Sequence, residues 1–83
     1  MKIAFTFDWI DQFKGLDSSV KRQILARLKE IDRAESWPDE ALKGKQFKGL
    51  FKLRVGDYRL IYRLVHETTM DFLCLGHRRE IYD

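Results

Sequence analysis

Leu50-Phe51-Lys52-Leu53-Arg54-Val55-Gly56-Asp57-Tyr58-Arg59-Leu60-Ile61-Tyr62-Arg63-Leu64-Val65 decides the fold. Two runs rich in β-branched, aromatic and alternating residues flank Gly-Asp, a dipeptide suited to a two-residue hairpin turn. With Gly56 and Asp57 as the turn, Val55 faces Tyr58, Arg54 faces Arg59, Leu53 faces Leu60, Lys52 faces Ile61 and Phe51 faces Tyr62. Side chains alternate across a strand, so the two surfaces of the hairpin separate. Phe51, Leu53, Val55, Tyr58, Leu60 and Tyr62 turn towards a core, and Lys52, Arg54, Arg59 and Arg63 turn away from it. Arginines opposed across neighbouring strands repel. The pattern therefore asks for an anion between Arg54 and Arg59, because a guanidinium keeps its charge and grips two phosphate oxygens at once; the alternative is that Asp57, Glu67, Asp71, Glu80 or Asp83 folds over to neutralise the cluster.

Working outwards, residues 69 to 75 form a third β-rich run after the polar His66-Glu67-Thr68, and it should return antiparallel beside the hairpin. On the other side, residues 39 to 49 read as a loop with Leu42 and Phe47 tucked beneath it. Before that loop Val20, Ile24, Leu28 and Ile31 recur at helical spacing, with Leu25 beside them and Asp17 available as an N-cap. This predicts an amphipathic helix from about Ser18 to about Ala34, closed off by Trp37-Pro38. Trp9, Ile10 and Phe13 suit a short helix over 8 to 13 that stops at Gly15. Residues 2 to 7 alternate, with Ile3, Phe5 and Phe7 on one side, as in a half-buried strand. The order β-α-α-β-β-β predicts an α+β fold: an antiparallel sheet with two N-terminal helices packed on one face and the other face partly open.

With 83 residues there is room for one domain and one core. The composition, 45% hydrophobic and 35% charged, suits a folded chain rather than a disordered one. Cys74 is the single cysteine, which excludes an internal disulfide and a cysteine-rich zinc site. Its apolar neighbours make it a packing residue rather than a nucleophile. Trp9 and Trp37 read as core. The N-terminal residues lack a signal-length apolar run, and no stretch approaches the length of a membrane span, so a cytoplasmic protein with no membrane partner is expected.

The formal net charge of +3 is unevenly spread. Residues 1 to 42 hold seven Lys/Arg and eight Asp/Glu, whereas residues 43 to 83 hold nine and five. Within residues 43 to 63, Lys43, Lys45, Lys48, Lys52, Arg54, Arg59 and Arg63 stand against Asp57 alone, seven cations to one anion and a local charge of +6. Such a concentration is the footprint of a polyanion-binding surface.

Arg54-Val55-Gly56-Asp57-Tyr58-Arg59-Leu60-Ile61-Tyr62, followed by Gly76-His77-Arg78-Arg79-Glu80-Ile81-Tyr82, resembles the signature of the RelE/ParE toxin superfamily, and the order of elements before it fits as well. The resemblance implies a RelE-like fold. It implies the activity of the RelE branch, whose members are metal-independent endoribonucleases that cut messenger RNA in the ribosomal A site and need no cofactor. It also implies a partner, an acidic RelB-like antitoxin encoded beside the toxin. ParE relatives share the fold but act on DNA gyrase, and the presence of Arg78 and Tyr82 favours the nuclease branch. By position, Lys52 matches a family lysine near the scissile group. Arg54 and Arg59 match strand arginines that hold phosphate, Arg78 the arginine after the last strand, and Tyr82 the C-terminal tyrosine. Leu50 stands where some ribonuclease members carry a second lysine.

The reaction implied is attack of a ribose 2′-hydroxyl on the adjacent phosphorus. It needs a base, cations for the developing charge, and a donor for the departing 5′-oxygen. Lys52 is the candidate base, and His77 competes with it because imidazole titrates near neutrality. Arg59 and Arg78 stabilise charge, and Tyr82 stacks on a base or donates a hydrogen bond. Lys45, Lys48, Arg54, Arg63, His77 and Arg79 complete the expected RNA-binding surface.

Overall fold

Six elements follow the expected order in a computed structural model that describes residues 2–34, 49–66 and 68–81. They are β1 (Lys2–Phe5), α1 (Phe7–Lys14), α2 (Ser18–Arg33), β2 (Leu50–Val55), β3 (Tyr58–Val65) and β4 (Thr69–His77). The strands form one sheet in the order β1-β4-β3-β2. Both contacts among the last three strands are antiparallel, whereas β1 joins parallel to β4, from Lys2 beside Thr69 to Phe5 beside Phe72. The sheet is therefore mixed. The expected loop over 39 to 49 and Trp37 lie, apart from Gly49, outside the described residues.

The hairpin has the register read from its sequence, Val55 to Tyr58 through Phe51 to Tyr62, and continues to Leu50 opposite Arg63. Gly56 has φ 58°, while Asp57 has no positive φ, as a type II′ turn demands of its two central residues. A Cβ on Gly56 would also lie 3.2 Å from Oε1 of Gln23, so the turn sits close against α2. Between β3 and β4 the pairing shifts: Ile61 faces Cys74 and Tyr62 faces Phe72, which leaves Leu73 as the extra residue of a bulge.

The N-terminal strand is shorter than its alternation suggests. It ends at Phe5 because Thr6 becomes the N-cap of α1, its hydroxyl accepting from the Trp9 amide at 3.1 Å. The same hydroxyl donates to the Leu73 carbonyl at 2.6 Å, tying the helix start to the bulge. Phe7 is thereby moved from a strand face to the first turn of a helix and is 87% exposed, against the half-buried place expected for it. In α2, Asp17 occupies the N-cap position but its side chain makes no capping hydrogen bond, and the helix ends at Arg33.

Both helices cover the same face of the sheet. Ile24, Leu28 and Ile31 of α2 join Phe51, Leu53, Leu60 and Tyr62 in the core. From α1, Trp9 lies between Phe5 and Phe13 at 4.4 and 5.1 Å between ring centroids and reaches Phe72 at 6.2 Å. Trp9 is core, as its helical spacing implied. Beyond the end of β1, α1 takes over the edge of β4: the Leu75 amide donates to Oε1 of Gln12 at 2.8 Å. That contact satisfies a backbone donor that a longer β1 would otherwise meet. No helix among the described residues is long and apolar enough to cross a membrane.

Candidate functional site

Strand alternation places a row of three positions across the face opposite the helices: Arg54 on β2, Arg59 on β3 and Gly76 on β4. The next row holds Lys52, Ile61 and Cys74. Arg63 lies four residues from Arg59, about 13 Å along the strand. The sequence therefore sorted Lys52, Arg54, Arg59 and Arg63 onto one surface correctly.

How these cations are held differs from the expectation. Arg59 is 5% exposed, and its Nη1 donates to the carbonyls of Gly56 at 3.1 Å and Tyr58 at 3.0 Å. The guanidinium has folded back on the hairpin turn, whose carbonyl dipoles face its charge. These two carbonyls take up part of the hydrogen-bonding capacity of Arg59 on the turn itself. Arg54 is exposed and makes no ion pair among the described residues, whereas Arg63 has Asp71 across the strands at 3.4 Å. Lys52 is half-buried.

The residues after β4 turn back towards the hairpin. Glu80 and Ile81 donate their amides to the His77 carbonyl at 2.8 and 3.1 Å. Ile81 comes over Gly76 so closely that a Cβ there would lie 3.1 Å from Cδ1 of Ile81. A Cβ at Gly76 would require the Ile81 side chain to give by a few tenths of an ångström. The Arg78 amide donates to the Asp57 carbonyl at 2.7 Å, and Nε of Arg78 lies 3.7 Å from Oδ1 of Asp57. Arg78 is thereby brought to the same end of the hairpin as Arg54 and Arg59.

His77 is placed elsewhere. It pairs in register with Tyr58 on the helix-facing side, its ring edge-on to that tyrosine at 5.5 Å. Its Nδ1 accepts from the Arg79 amide at 3.1 Å. Arg79 is exposed in the turn. Lys52, Arg54 and Arg59 thus share one face, Arg78 is held against the adjoining turn, Arg63 lies further along the strand and His77 is on the opposite face. Lys45, Lys48 and Tyr82 lie outside the described residues. Burial, and secondarily the carboxylate of Asp8, pushes the Cys74 thiol above its ordinary pKa, which suits packing rather than nucleophilic use. The residue that sequence reasoning underrated is Asp57. It reads as a turn former and a source of neutralising charge, and nothing local reveals that its carbonyl and carboxylate both engage Arg78.

The comparisons with known proteins agree with this architecture. The profile of the family described as "ParE toxin of type II toxin-antitoxin system, parDE" matches residues 4–82. The toxin RelE3 of Methanocaldococcus jannaschii is 29% identical over 86 residues, covering 100% of this chain and 97% of the relative. Among solved structures, the RelB-RelE antitoxin-toxin complex from Methanococcus jannaschii superposes with a TM-score of 0.73 at 25% identity, covering 96% of this chain and 95% of the other. The isolated RelE toxin of E. coli shares the fold, with a TM-score of 0.72 at 18% identity over 92% of this chain and 82% of that one. With the fold and the matched residues in agreement, the chain belongs to the ParE/RelE family of toxins of type II toxin-antitoxin systems.

Proposed function

We propose that this toxin is an endoribonuclease that cuts messenger RNA in the ribosomal A site. The observation that supports the reading is the register that puts Lys52, Arg54 and Arg59 on the sheet face that the helices leave uncovered, with Arg78 held against the turn that joins their two strands. The 2′-oxygen of a ribose attacks the adjacent phosphorus, the bond to the 5′-oxygen breaks, and the products are a 2′,3′-cyclic phosphate and a free 5′-hydroxyl. Lys52 takes the 2′-hydroxyl proton. Arg59 and Arg78 hold the charge that builds on the phosphoryl oxygens, with Arg59 exchanging its turn carbonyls for phosphate. Arg54, Arg63, Arg79, Lys45 and Lys48 hold the flanking backbone, and Tyr82 stacks on a base or donates to the leaving oxygen. This chemistry uses side chains alone and requires neither a metal nor a cofactor. His77, on the other face, is a contact residue rather than the base.

The partner we assign is an acidic antitoxin of the RelB kind, in keeping with the antitoxin bound to the toxin in the archaeal relative. The site of action is the cytoplasm, where ribosomes are. The test is single-turnover cleavage on programmed ribosomes at saturating toxin. Arg78→Ala and Arg59→Ala should each lower the rate about 100- to 1000-fold, the usual cost of losing a preorganised donor at a developing oxyanion. Lys52→Ala should alter the pH dependence as well. A folded Arg78→Ala variant that cuts at the parental rate would remove the proposed site.

A second reading, inhibition of DNA gyrase without nuclease chemistry, is favoured by the ParE description of the matching family. Induction followed by primer extension separates the two. Codon-phased ends on a reporter messenger support cleavage, and DNA damage with intact messenger supports the gyrase reading.

A further inference from the structure

We propose that Asp57 is a positioning residue that aims the Arg78 guanidinium at the RNA phosphate. The proposal rests on the reading of Arg78 as a phosphate-holding cation. Asp57 lies in the hairpin turn, next to the Arg54–Arg59 row, and it engages Arg78 twice. Its carbonyl accepts the Arg78 amide at 2.7 Å, and its Oδ1 lies 3.7 Å from Nε of the same residue. The engaged nitrogen gives the contact its meaning. Nε is the inner atom of the guanidinium, so a carboxylate 3.7 Å from it attracts the group by charge, without a hydrogen bond, from the side away from both terminal nitrogens, which are left to form the two-pronged grip on a phosphate. Among the described residues Arg78 makes no other ion pair. Its side chain is 55% exposed and that of Asp57 is 65% exposed, so an incoming phosphate reaches the terminal nitrogens without displacing the carboxylate.

The backbone of this corner is secured independently of the Asp57 charge. Glu80 and Ile81 donate to the His77 carbonyl, Ile81 rests over Gly76, and the Arg78 amide uses a carbonyl rather than a carboxylate. Asp57→Asn therefore keeps the turn, in which asparagine is at home, and removes only the charge that orients Arg78.

In single-turnover cleavage on ribosomes, Asp57→Asn should lower the saturating rate about two- to fivefold, the range that an exposed ion pair supplies. The half-saturating toxin concentration should stay as in the parent. In an Arg78→Ala background the same substitution should have no further effect, because the group that Asp57 orients is gone. The side-chain Nε–H resonance of Arg78 in a 15N spectrum should move towards that of a free arginine in Asp57→Asn, a signature independent of any activity. An unmoved resonance would overturn the proposal, as would a rate that rises when the charge is removed, since Asp57 would then only repel phosphate. Equal losses with and without Arg78 would make Asp57 a structural residue and overturn it too. If the parent cuts no ribosome-bound messenger, the nuclease reading fails on its own, and the resonance still decides whether Asp57 orients Arg78.

Discussion

Arg54 and Arg63 project from the same surface with different neighbours. Arg54 is exposed and makes no ion pair among the described residues, while Arg63 must give up Asp71 at 3.4 Å before it can serve a phosphate fully. On the proposed RNA-binding reading, a phosphate would gain the whole of one cation and part of the other. Arg54→Ala should reduce the log-log salt slope of single-strand RNA binding by about 0.7, the contribution of one phosphate contact. Arg63→Ala should reduce it by less, because the cation is already half-compensated. Filter binding across a range of salt concentrations measures both, and a larger loss at Arg63 would reverse the assignment. Arg59 is a different case: its hydrogen bonds to Gly56 and Tyr58 make it part of the turn as well as of the cationic row.

Three elements meet at one hydroxyl. Thr6 ends β1, caps α1 by accepting from the Trp9 amide, and donates to the Leu73 carbonyl at the β4 bulge. Thr6→Val keeps the shape and removes both bonds, leaving an unpaired amide at the helix start and an unpaired carbonyl at the bulge. Loss of an N-cap costs about 0.5 to 2 kcal/mol and an unsatisfied buried acceptor about 1 to 3 kcal/mol. Thr6 is only part-buried, so water recovers some of this, and about 1 to 3 kcal/mol in total is expected from urea unfolding. Thr6→Ser keeps the hydroxyl and should recover most of the stability. Equal losses in the two variants would point to the methyl group instead.

At the scale of the whole molecule the sheet is two-sided in charge as well as in packing. The helices bury one face, and the other carries Lys52, Arg54, Arg59 and Arg63. A cationic face of this kind attracts polyanions without discrimination unless it is covered. Coexpression with the product of an adjacent gene for a small acidic protein should therefore abolish toxicity and shift the elution of the toxin to that of a larger complex. Unchanged toxicity together with monomeric elution would remove the antitoxin assignment.

Much of this protein is decided locally. The register of the hairpin follows from its sequence because a two-residue Gly-Asp turn fixes the parity, and a slip of one residue would turn Phe51, Leu53, Leu60 and Tyr62 to the wrong face. The burial of Ile24, Leu28 and Ile31 follows from helical spacing, and that of Trp9 from its place beside Phe13. Local pattern fails where a residue has two competing local uses or a distant partner. Thr6 and Phe7 fit an alternating strand, yet a threonine hydroxyl beside the free amides of α1 and the Leu73 carbonyl does better as a cap. The parallel seat of β1 beside β4 joins residues more than sixty positions apart, and no periodicity in either strand encodes the direction of pairing. The same separation hides the functional corner. Alternation assigned Lys52, Arg54 and Arg59 to one face, but the folding back of Arg59, the transfer of His77 to the other face, and the seating of Arg78 on Asp57 follow from where the end of β4 meets the hairpin turn. Sequence fixes which face a strand residue occupies, since that is geometry of the chain itself, and only tertiary packing decides which charges on that face meet.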